Sequence, residues 1–159
     1  MAQAQLDKAK ANVTQLLEND TRNGIEITRK RHKNFTILKY NKERCLPSDY
    51  FKVGYLRTMV IDRDLNKVVC VGPNKSIPLE EIESYANGPL DYEEFVDGVM
   101  INVFWDEANS KWEYATRSNI GADIRFYLQN EVQITFRNMF DDALKEDNID
   151  LNVLPKSLC

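Results

Sequence analysis

The chain has 159 residues, enough for one domain with a buried core and too few for two domains of ordinary size. Its composition, with 43% hydrophobic and 29% charged residues, is that of a globular protein, so we expect a folded chain rather than a disordered one. A net charge of −4 argues against non-specific coating of nucleic acid, and no apolar run reaches the roughly 20 residues of a membrane helix. We expect one intracellular domain over residues 1–159, with no membrane partner, in which residues 1–23 form an N-terminal helix and linker.

The cysteines and the histidine predict little chemistry of their own. Cys45, Cys70 and Cys159 are odd in number and widely spaced, which fits neither a disulfide framework nor a metal-binding knuckle. We therefore expect reduced thiols. His32 is the single histidine and lies among basic residues, so the sequence offers no catalytic triad and no histidine-rich metal site.

The N-terminal half of the chain predicts one helix followed by two hairpins. Residues 3–18 carry apolar side chains at helical spacing, and the polar residues 19–24 should end this helix. The next two strands should meet in a turn near Lys33 and Asn34, and another pair should flank the turn at 63–66. The apolar residues that define the first three elements are Ala9, Val13, Leu16, Leu17, Ile25, Ile27, Phe35, Ile37 and Leu38.

The C-terminal half predicts a short helix, a third hairpin and a long helix. Pro78 suits the first turn of a helix over PLEEIESYA. Alternating side chains at 93–106 indicate a strand, which should pair through 107–110 with KWEYATRS. Helical spacing over 130–146 predicts the clearest helix of the chain. The residues that define it are Val132, Phe136, Met139, Phe140, Ala143 and Leu144.

The order of these elements predicts the fold class. Helix, hairpins, short helix, hairpin and helix together indicate an α+β fold, in which helices flank an antiparallel sheet. Neither internal repeats nor low-complexity linkers are found in the sequence. Because Leu151, Val153 and Leu158 lead toward structure that the sequence does not supply, we expect the natural chain to continue past Cys159.

A basic segment coincides with the first predicted hairpin. Between Thr28 and Arg44, seven Lys and Arg residues are opposed by Glu43 alone, whereas residues 76–110 contain neither Lys nor Arg. A basic edge of this kind can bind a polyanion although the whole chain is acidic. The simpler alternative is a solvated, charged hairpin. The candidates for contacts with a nucleic-acid backbone are Arg29, Arg31 and Lys33.

Four short segments follow one another along the chain, namely LRTMVID at 56–62, GPNKS at 72–76, EEFVDGVMINVF at 93–104 and TRSNIGA at 116–122. In order and spacing they resemble the adenylyltransferase domain of phage-type and large-virus RNA ligases, over about residues 35–158. That family has an Arg-bearing strand, a Lys-bearing loop, a Lys-x-Asp-Gly motif and a downstream basic turn. The resemblance implies part of a nucleotidyltransferase fold, ATP and Mg²⁺ as cofactors, RNA ends as substrate, and a phage or large DNA virus as the source.

The resemblance also implies roles for single residues. Arg57 matches the arginine beside the nucleotide, and Lys75 matches the loop lysine near phosphate or nucleic acid. Asp97 and Gly98 match the Asp-Gly of the nucleotidylation motif, where glycine lets the backbone approach the ligand. The residues of the turn that contacts nucleotide or the RNA end are Arg117, Ser118 and Asn119.

The sequence departs from the family at the residue that performs the chemistry. Phe95 stands where the family has the lysine that attacks the α-phosphate of ATP, and phenylalanine cannot form a lysyl-AMP intermediate. Thr58 also replaces the usual glycine after the arginine. The family's metal-binding carboxylate and paired lysines would lie beyond Cys159. No catalytic residue and no metal ligand is therefore assigned, and we expect adenylyl transfer to be lost or moved to another residue.

Two further functions remain open at this point. Besides a ligase-family member, the alternatives are a non-catalytic module that binds nucleotide or RNA and a structural or protein-interaction domain whose cleft binds nothing. The simpler alternatives for the four segments are surface cations at Arg57 and Lys75, a bend at Asp97 and an ordinary polar turn at 117–119. The aromatic residues that favour cross-strand pairs over a base-stacking platform are Phe104, Trp105, Trp112 and Tyr114.

Overall fold

The computed structural model describes residues 7, 10–76, 78, 80, 94, 97–129 and 132–157. Its strands are β1 (Thr21–Arg22), β2 (Ile25–His32), β3 (Phe35–Tyr40), β4 (Met59–Asp62), β5 (Lys67–Val71), β6 (Asn102–Asp106), β7 (Lys111–Ala115), β8 (Arg125–Gln129) and β9 (Val132–Thr135). The α-helices in these ranges are α1 (Val13–Glu18), α2 (Tyr50–Val53) and α3 (Phe136–Glu146). Short 3-10 helices cover Lys42–Arg44, Pro47–Asp49, Gly54–Leu56 and Leu151–Val153.

Strands β1 to β5 form one antiparallel sheet in which the spatial order follows the chain order. The β2–β3 turn lies at Lys33 and Asn34, as predicted, and Lys33 has a φ of 49°. The β4–β5 turn also lies where predicted, with Asn66 at a φ of 48°. Asparagine adopts this left-handed conformation more easily than most residues. The predicted α+β class with an antiparallel sheet is confirmed.

The two faces of this sheet are covered by different parts of the chain. Along β3, Phe35 faces one side and Leu38 the other, as expected of a strand that is buried on both faces. Helices α1 and α2 cover the Leu38 face. Strands β6 and β7 cover the Phe35 face, where Phe104 meets Phe35 edge to face with ring centres 5.2 Å apart. The predicted apolar residues that are buried here are Val13, Leu16, Ile25, Ile27, Phe35, Ile37 and Leu38.

The last helix is shorter than its apolar spacing indicates. The prediction of a helix from residue 130 is wrong for 132–135, which form β9 and pair with β8. Val, Ile and Thr in this stretch favour a strand over a helix. Helix α3 then begins at Phe136, because the Thr135 side chain accepts a hydrogen bond from the Asn138 amide and caps it. None of the residues of α3 is buried.

The third hairpin forms as predicted, but its first strand begins late. Strand β6 starts at Asn102 and pairs with β7, so the prediction of a strand from residue 93 is wrong for the described residues 97–101. Gly98 has a φ of 153°, which interrupts the alternating pattern. Trp105 pairs with Trp112 across the hairpin, with ring centres 5.5 Å apart, which confirms the cross-strand interpretation for these two rings.

The cysteines follow the prediction in part. Cys45 is a buried free thiol, as expected. Cys70 is disulfide-bonded, so the prediction of reduced thiols is wrong for Cys70, and an odd number of cysteines did not exclude such a bond. Several predictions fall outside the described residues, namely those on Ala9, Glu93, Phe95, Leu158 and Cys159 and on the helix after Pro78 apart from Glu80.

In the described ranges, none of the helices has the length and apolar content that crossing a bilayer requires.

Candidate functional site

Arg57 lies just before the sheet rather than inside it. The 3-10 helix Gly54–Leu56 ends where the Arg57 amide donates to the Gly54 carbonyl at 3.0 Å, and β4 starts at Met59. The expectation of an arginine within a strand is therefore wrong, because this tight turn delays the strand by two residues. The guanidinium Nη1 donates to the Asn74 carbonyl at 3.2 Å. This bond holds the half-buried arginine beside the segment that follows β5.

Three of the four predicted segments line one cavity around Arg57. Its volume is about 390 Å³. The residues that line this cavity, called the Arg57 cleft below, are Arg57, Pro73, Asn74, Ser76, Asp97, Gly98, Val99 and Met100. Segments about 40 positions apart in the sequence thus supply a guanidinium and a carboxylate to one cavity.

The fourth segment joins the cleft through Arg117. A narrow cavity of about 20 Å³, room for about one water molecule, is lined by Arg57, Thr58, Gly72, Pro73, Met100, Asn102 and Arg117. Arg117 Nε donates to the Arg57 carbonyl at 3.4 Å, and the Thr58 hydroxyl donates to the Arg117 carbonyl at 3.5 Å. Arg57 lines both cavities and so lies between the Asp97 side of the site and Arg117.

Gly72 allows the two sides of the site to approach each other. A Cβ atom at this position would lie 3.1 Å from the Asn102 Oδ1 and 3.2 Å from the Thr58 Cβ. Both neighbours are held in place, since the Asn102 amide donates to the Ala115 carbonyl at 3.3 Å and the Thr58 carbonyl accepts from the Gly72 amide at 2.7 Å. The glycine therefore serves close packing between β5 and β6.

A row of two aromatic rings with a cation at each end extends from Arg117 to Lys75. The Arg117 guanidinium lies 5.5 Å from the centre of the Tyr40 ring, and the Tyr40 and Tyr50 rings are 6.0 Å apart. Lys75 Nζ lies 5.2 Å from the centre of the Tyr50 ring. Cation–π contacts of this kind contribute about 0.5–2 kcal/mol each. The cation–aromatic row (Arg117, Tyr40, Tyr50, Lys75) thus places Lys75 near the site without making it part of the cleft lining.

Lys39 belongs to the site and was not predicted as a site residue. Its Nζ donates to the Ser118 hydroxyl at 2.7 Å. Burial lowers the pKa of the Lys39 ammonium, and the charges of Arg117 and Lys30 lower it further. The signal in the sequence was its place on β3, two residues after Ile37 and therefore on the same face of the sheet as the β6–β7 hairpin.

The site contains more cationic side chains than carboxylates that could neutralise them. Arg57, Arg117, Lys39 and Lys75 form no ion pair with a carboxylate of the described part of the chain. Asp97 is the carboxylate in the lining of the cleft, and its Oδ1 accepts from the Gly98 amide at 2.8 Å. The described site therefore has a surplus of hydrogen-bond donors with positive charge, which is suited to an anion.

The expected Mg²⁺ has no built site among the described residues. These residues contain no group of three His, Cys, Asp or Glu side chains close enough to hold a metal ion. Asp97 is exposed and its side chain bonds its own backbone neighbour. A cation that also binds the phosphates of a ligand needs few protein ligands, so the Mg²⁺ expectation stays a prediction.

The predicted RNA-binding residues lie in separate places. Ser118 is at the site through Lys39, and the Asn119 carbonyl accepts from the Thr116 amide at 2.9 Å to close the same turn. Arg29 is on the Leu38 face of the sheet, where it donates to the Asp20 carboxylate at 2.7 Å and to the Leu16 carbonyl at 3.1 Å. It therefore helps to fix α1 on the sheet.

Two other predicted RNA-binding residues are far from the cleft. Arg31 and Lys33 are exposed at the β2–β3 turn, whereas the site lies beyond the other end of β3. Phe35 and Tyr40 are five residue steps apart along the strand, a distance of about 17 Å. The structure thus groups Arg57, Asp97, Gly98 and Arg117 around two adjoining cavities and keeps Arg31 and Lys33 away from them.

Comparisons with known protein families, with curated proteins and with solved structures find no match to this chain. The likeness to RNA ligases therefore rests on the four sequence segments alone.

Proposed function

We propose that the chain is an RNA-ligase-like nucleotidyltransferase module that binds a nucleotide or the phosphorylated end of an RNA in the Arg57 cleft. It does so without forming a lysyl-AMP intermediate at position 95, where the residue is Phe95. The observation that carries the proposal is the position of Arg57, which lines both cavities between Asp97–Gly98 and Arg117. Residues that the ligase resemblance assigns to the nucleotide are thus neighbours in space.

A phosphate is the ligand group that suits the cationic side of the site. Arg57 and Arg117 have no carboxylate partner in the described residues, so a phosphate would not have to displace an ion pair. Guanidinium groups bind phosphate through two parallel hydrogen bonds, which a single ammonium cannot provide. Lys39 and Lys75 add positive potential from the two flanks.

The opposite side of the cleft favours a nucleotide over a free phosphate. The Asp97 carboxylate repels phosphate but accepts hydrogen bonds, so it suits the hydroxyl groups of a ribose or the amino group of a base. Val99 and Met100 add an exposed apolar surface next to it. A ligand with an anionic end and a hydroxyl-rich, partly apolar end therefore complements the cleft as a whole.

Binding of matched RNA oligonucleotides tests the proposal. Two oligonucleotides of one sequence, with a 5′-phosphate or a 5′-hydroxyl, are titrated against the wild type and against Arg57→Gln and Arg117→Gln. Loss of a charge-assisted hydrogen bond costs about 1.5–3 kcal/mol, so each variant should lose roughly 10- to 100-fold in affinity for the phosphorylated RNA. Arg44→Gln is the control, because Arg44 is exposed and pairs with Glu26 outside the cleft. Equal affinity for both ends, with unaffected variants, would count against the proposal.

A second candidate function is adenylyl transfer through a different lysine. Lys39 favours it, because this amine is half-buried, is adjacent to Arg117 and has a lowered pKa. Its neutral Nζ would bond the α-phosphorus of ATP while pyrophosphate leaves. Incubation with α-labelled ATP and Mg²⁺ separates the two candidates. Covalent label that survives denaturation and alkali, is released by mild acid as expected of a phosphoramidate, and is lost in Lys39→Arg would establish transfer, whereas binding without label supports the non-catalytic module. Lys75→Arg is the matched control.

A further inference from the structure

A second cationic cavity lies at the far end of β5. Its volume is about 360 Å³. The residues that line this cavity, called the lysine pocket below, are Lys10, Leu65, Lys67, Val68, Val69, Trp105, Glu107, Lys156 and Ser157. Three ammonium groups from distant parts of the chain therefore converge on one cavity with a single carboxylate in its described lining.

An aromatic pair positions one of these lysines. Lys156 Nζ lies 4.2 Å from the centre of the Trp105 ring, and Trp105 packs edge to face on Trp112. In this position the N–H groups of the ammonium stay available for a ligand, because the face of an aromatic ring is only a weak hydrogen-bond acceptor. A positioned cation of this kind is ready to bind an anion.

The three lysines are not neutralised within the described residues. Lys10, Lys67 and Lys156 form no ion pair there. Asp62 is opposite Lys67 in the strand register, but its carboxylate accepts from the Asp64 and Leu65 amides at 2.9 and 3.1 Å. The carboxylate that is opposite Lys67 in the register thus accepts hydrogen bonds from its own turn.

The lysine pocket and the narrow cavity beside the Arg57 cleft lie along the same two strands. Strands β5 and β6 are in contact. Gly72 and Asn102 line the narrow cavity at one end of this seam, and Val69 and Trp105 line the lysine pocket at the other. The five residue steps from Lys67 to Gly72 correspond to about 17 Å of strand. A mononucleotide cannot span this distance, whereas an extended polynucleotide can.

We propose that the lysine pocket is a second phosphate-binding site, which contacts the backbone of a single-stranded nucleic acid whose end lies in the Arg57 cleft. This inference rests on the proposed function, and it names the ligand class as an oligonucleotide rather than a mononucleotide. Domains that bind single strands combine cations along the backbone with aromatic side chains, as this seam does. Contacts made at both ends of the seam give an affinity that grows with strand length.

The salt dependence of binding measures the second site directly. A single strand of about ten nucleotides, within the roughly 4–16 that one single-strand-binding domain covers, is compared with a mononucleotide. Each phosphate contact contributes about 0.7 to the slope of log K against log salt for single strands. The double variant Lys67→Gln/Lys156→Gln should therefore lower the slope for the oligonucleotide by about 1.4 and leave mononucleotide binding unchanged.

A charge-matched control separates the site from net charge. Lys42→Gln/Lys145→Gln removes the same two charges from exposed positions outside both cavities. It should keep the wild-type slope, and Lys67→Arg/Lys156→Arg should keep it as well. An unchanged slope in the Lys67→Gln/Lys156→Gln variant overturns the second site.

The two proposals fail in distinguishable ways. If Arg57→Gln leaves oligonucleotide binding intact while Lys67→Gln/Lys156→Gln weakens it, the result supports phosphate binding in the lysine pocket and contradicts binding in the Arg57 cleft. If the oligonucleotide and the mononucleotide bind equally, the cleft stands and the lysine pocket is overturned. If the wild type binds neither, both proposals are wrong.

Discussion

Lys39 Nζ lies 2.7 Å from the Ser118 hydroxyl oxygen, although the two residues are 79 positions apart in the chain. This hydrogen bond joins the end of β3 to the turn that carries Arg117. Burial lowers the pKa of Lys39, and the charge of Arg117 lowers it further. The site therefore holds a half-buried ammonium next to a second cation, an arrangement that costs folding free energy and favours an anion.

Replacing Lys39 should separate stability from binding. In Lys39→Met a desolvated charge beside Arg117 is removed, so we expect the free energy of unfolding at neutral pH to stay the same or rise. Affinity for 5′-phosphorylated RNA should fall about tenfold, as for loss of one charged hydrogen bond. Urea unfolding and the RNA titration measure the two quantities, with exposed Lys42→Met as the control. A drop in stability larger than about 2 kcal/mol would contradict the prediction.

The same pair predicts the sign of an alkaline pH effect. Because the folded-state pKa of Lys39 is lowered from 10.5, the unfolded state binds more protons in the window just below that value. The contribution of Lys39 to stability therefore rises with pH across this window. The stability difference between Lys39→Met and the wild type should shrink as the pH approaches 10.5. A difference that grows instead would show that the pKa is raised.

Glu113 should make stability sensitive to acid. Burial raises the pKa of this carboxyl, but hydrogen bonds from the Tyr114 amide and Lys111 and the charge of Arg137 outweigh burial and lower it below 4.5. The carboxylate then contributes stability that is present above pH 4.5 and is lost as the pH falls through the lowered value. Glu113→Gln should cost about 1–3 kcal/mol at neutral pH.

The acid dependence distinguishes Glu113 from an ordinary surface acid. Unfolding free energies of the wild type and Glu113→Gln should converge as the pH falls below 4.5. Glu107→Gln, at an exposed turn position, serves as the control and should track the wild type. Parallel curves for wild type and Glu113→Gln would contradict the prediction.

Gly72→Ala should disturb the cleft through packing. The new Cβ would meet the Asn102 Oδ1 at 3.1 Å and the Thr58 Cβ at 3.2 Å, and hydrogen bonds hold both neighbours. Overpacking of this kind costs about 1–3 kcal/mol. Thermal unfolding and RNA binding should both weaken, because Thr58 adjoins Arg57. If the melting temperature and the RNA affinity are both unchanged, β5 and β6 can move apart without loss of stability, which would contradict the prediction.

Phe104→Ala should undock the third hairpin from the sheet. Phe104 is fully buried and packs edge to face on Phe35. Truncation of a buried phenylalanine costs about 3–5 kcal/mol. We expect tryptophan fluorescence, which reports Trp105 and Trp112 in the hairpin, to change at lower urea than circular dichroism of the whole chain. Trp105→Phe controls for the reporter. Coincident transitions would show that hairpin and sheet still unfold together.

Local chemistry made much of the fold predictable from the sequence. The turns at Lys33 and at Asn66 follow polar residues between apolar strands, and the alternation of Phe35 and Ile37 with Leu38 fixes the faces of β3. The start of α3 was harder to predict, because Val132 fits both the helical spacing and a strand. Pairing with β8 makes this stretch a strand, and the sequence of a single segment does not show which strand it will pair with.

The motif order grouped Arg57, Asp97 and Gly98, and these residues line one cavity, although their role in binding stays a prediction. Lys39 could not be chosen from the seven cations of the basic segment, because its role depends on Ser118 across the fold. Arg29 carries the same charge and lies on the opposite face, tied to Asp20. Sequence spacing gives the face of a strand, whereas the partner on that face comes from tertiary packing.

The uneven burial of α3 and the central strands sets an order of local opening. Helix α3 has no buried residue, whereas Met59, Val60 and Ile61 of β4 are fully buried. In native-state hydrogen exchange, the amides of α3 should therefore exchange through local fraying, and those of β4 only when the whole domain unfolds. Arg57 lies two residues before the start of β4. Helix α3 can thus open transiently while the central strand next to Arg57 remains folded.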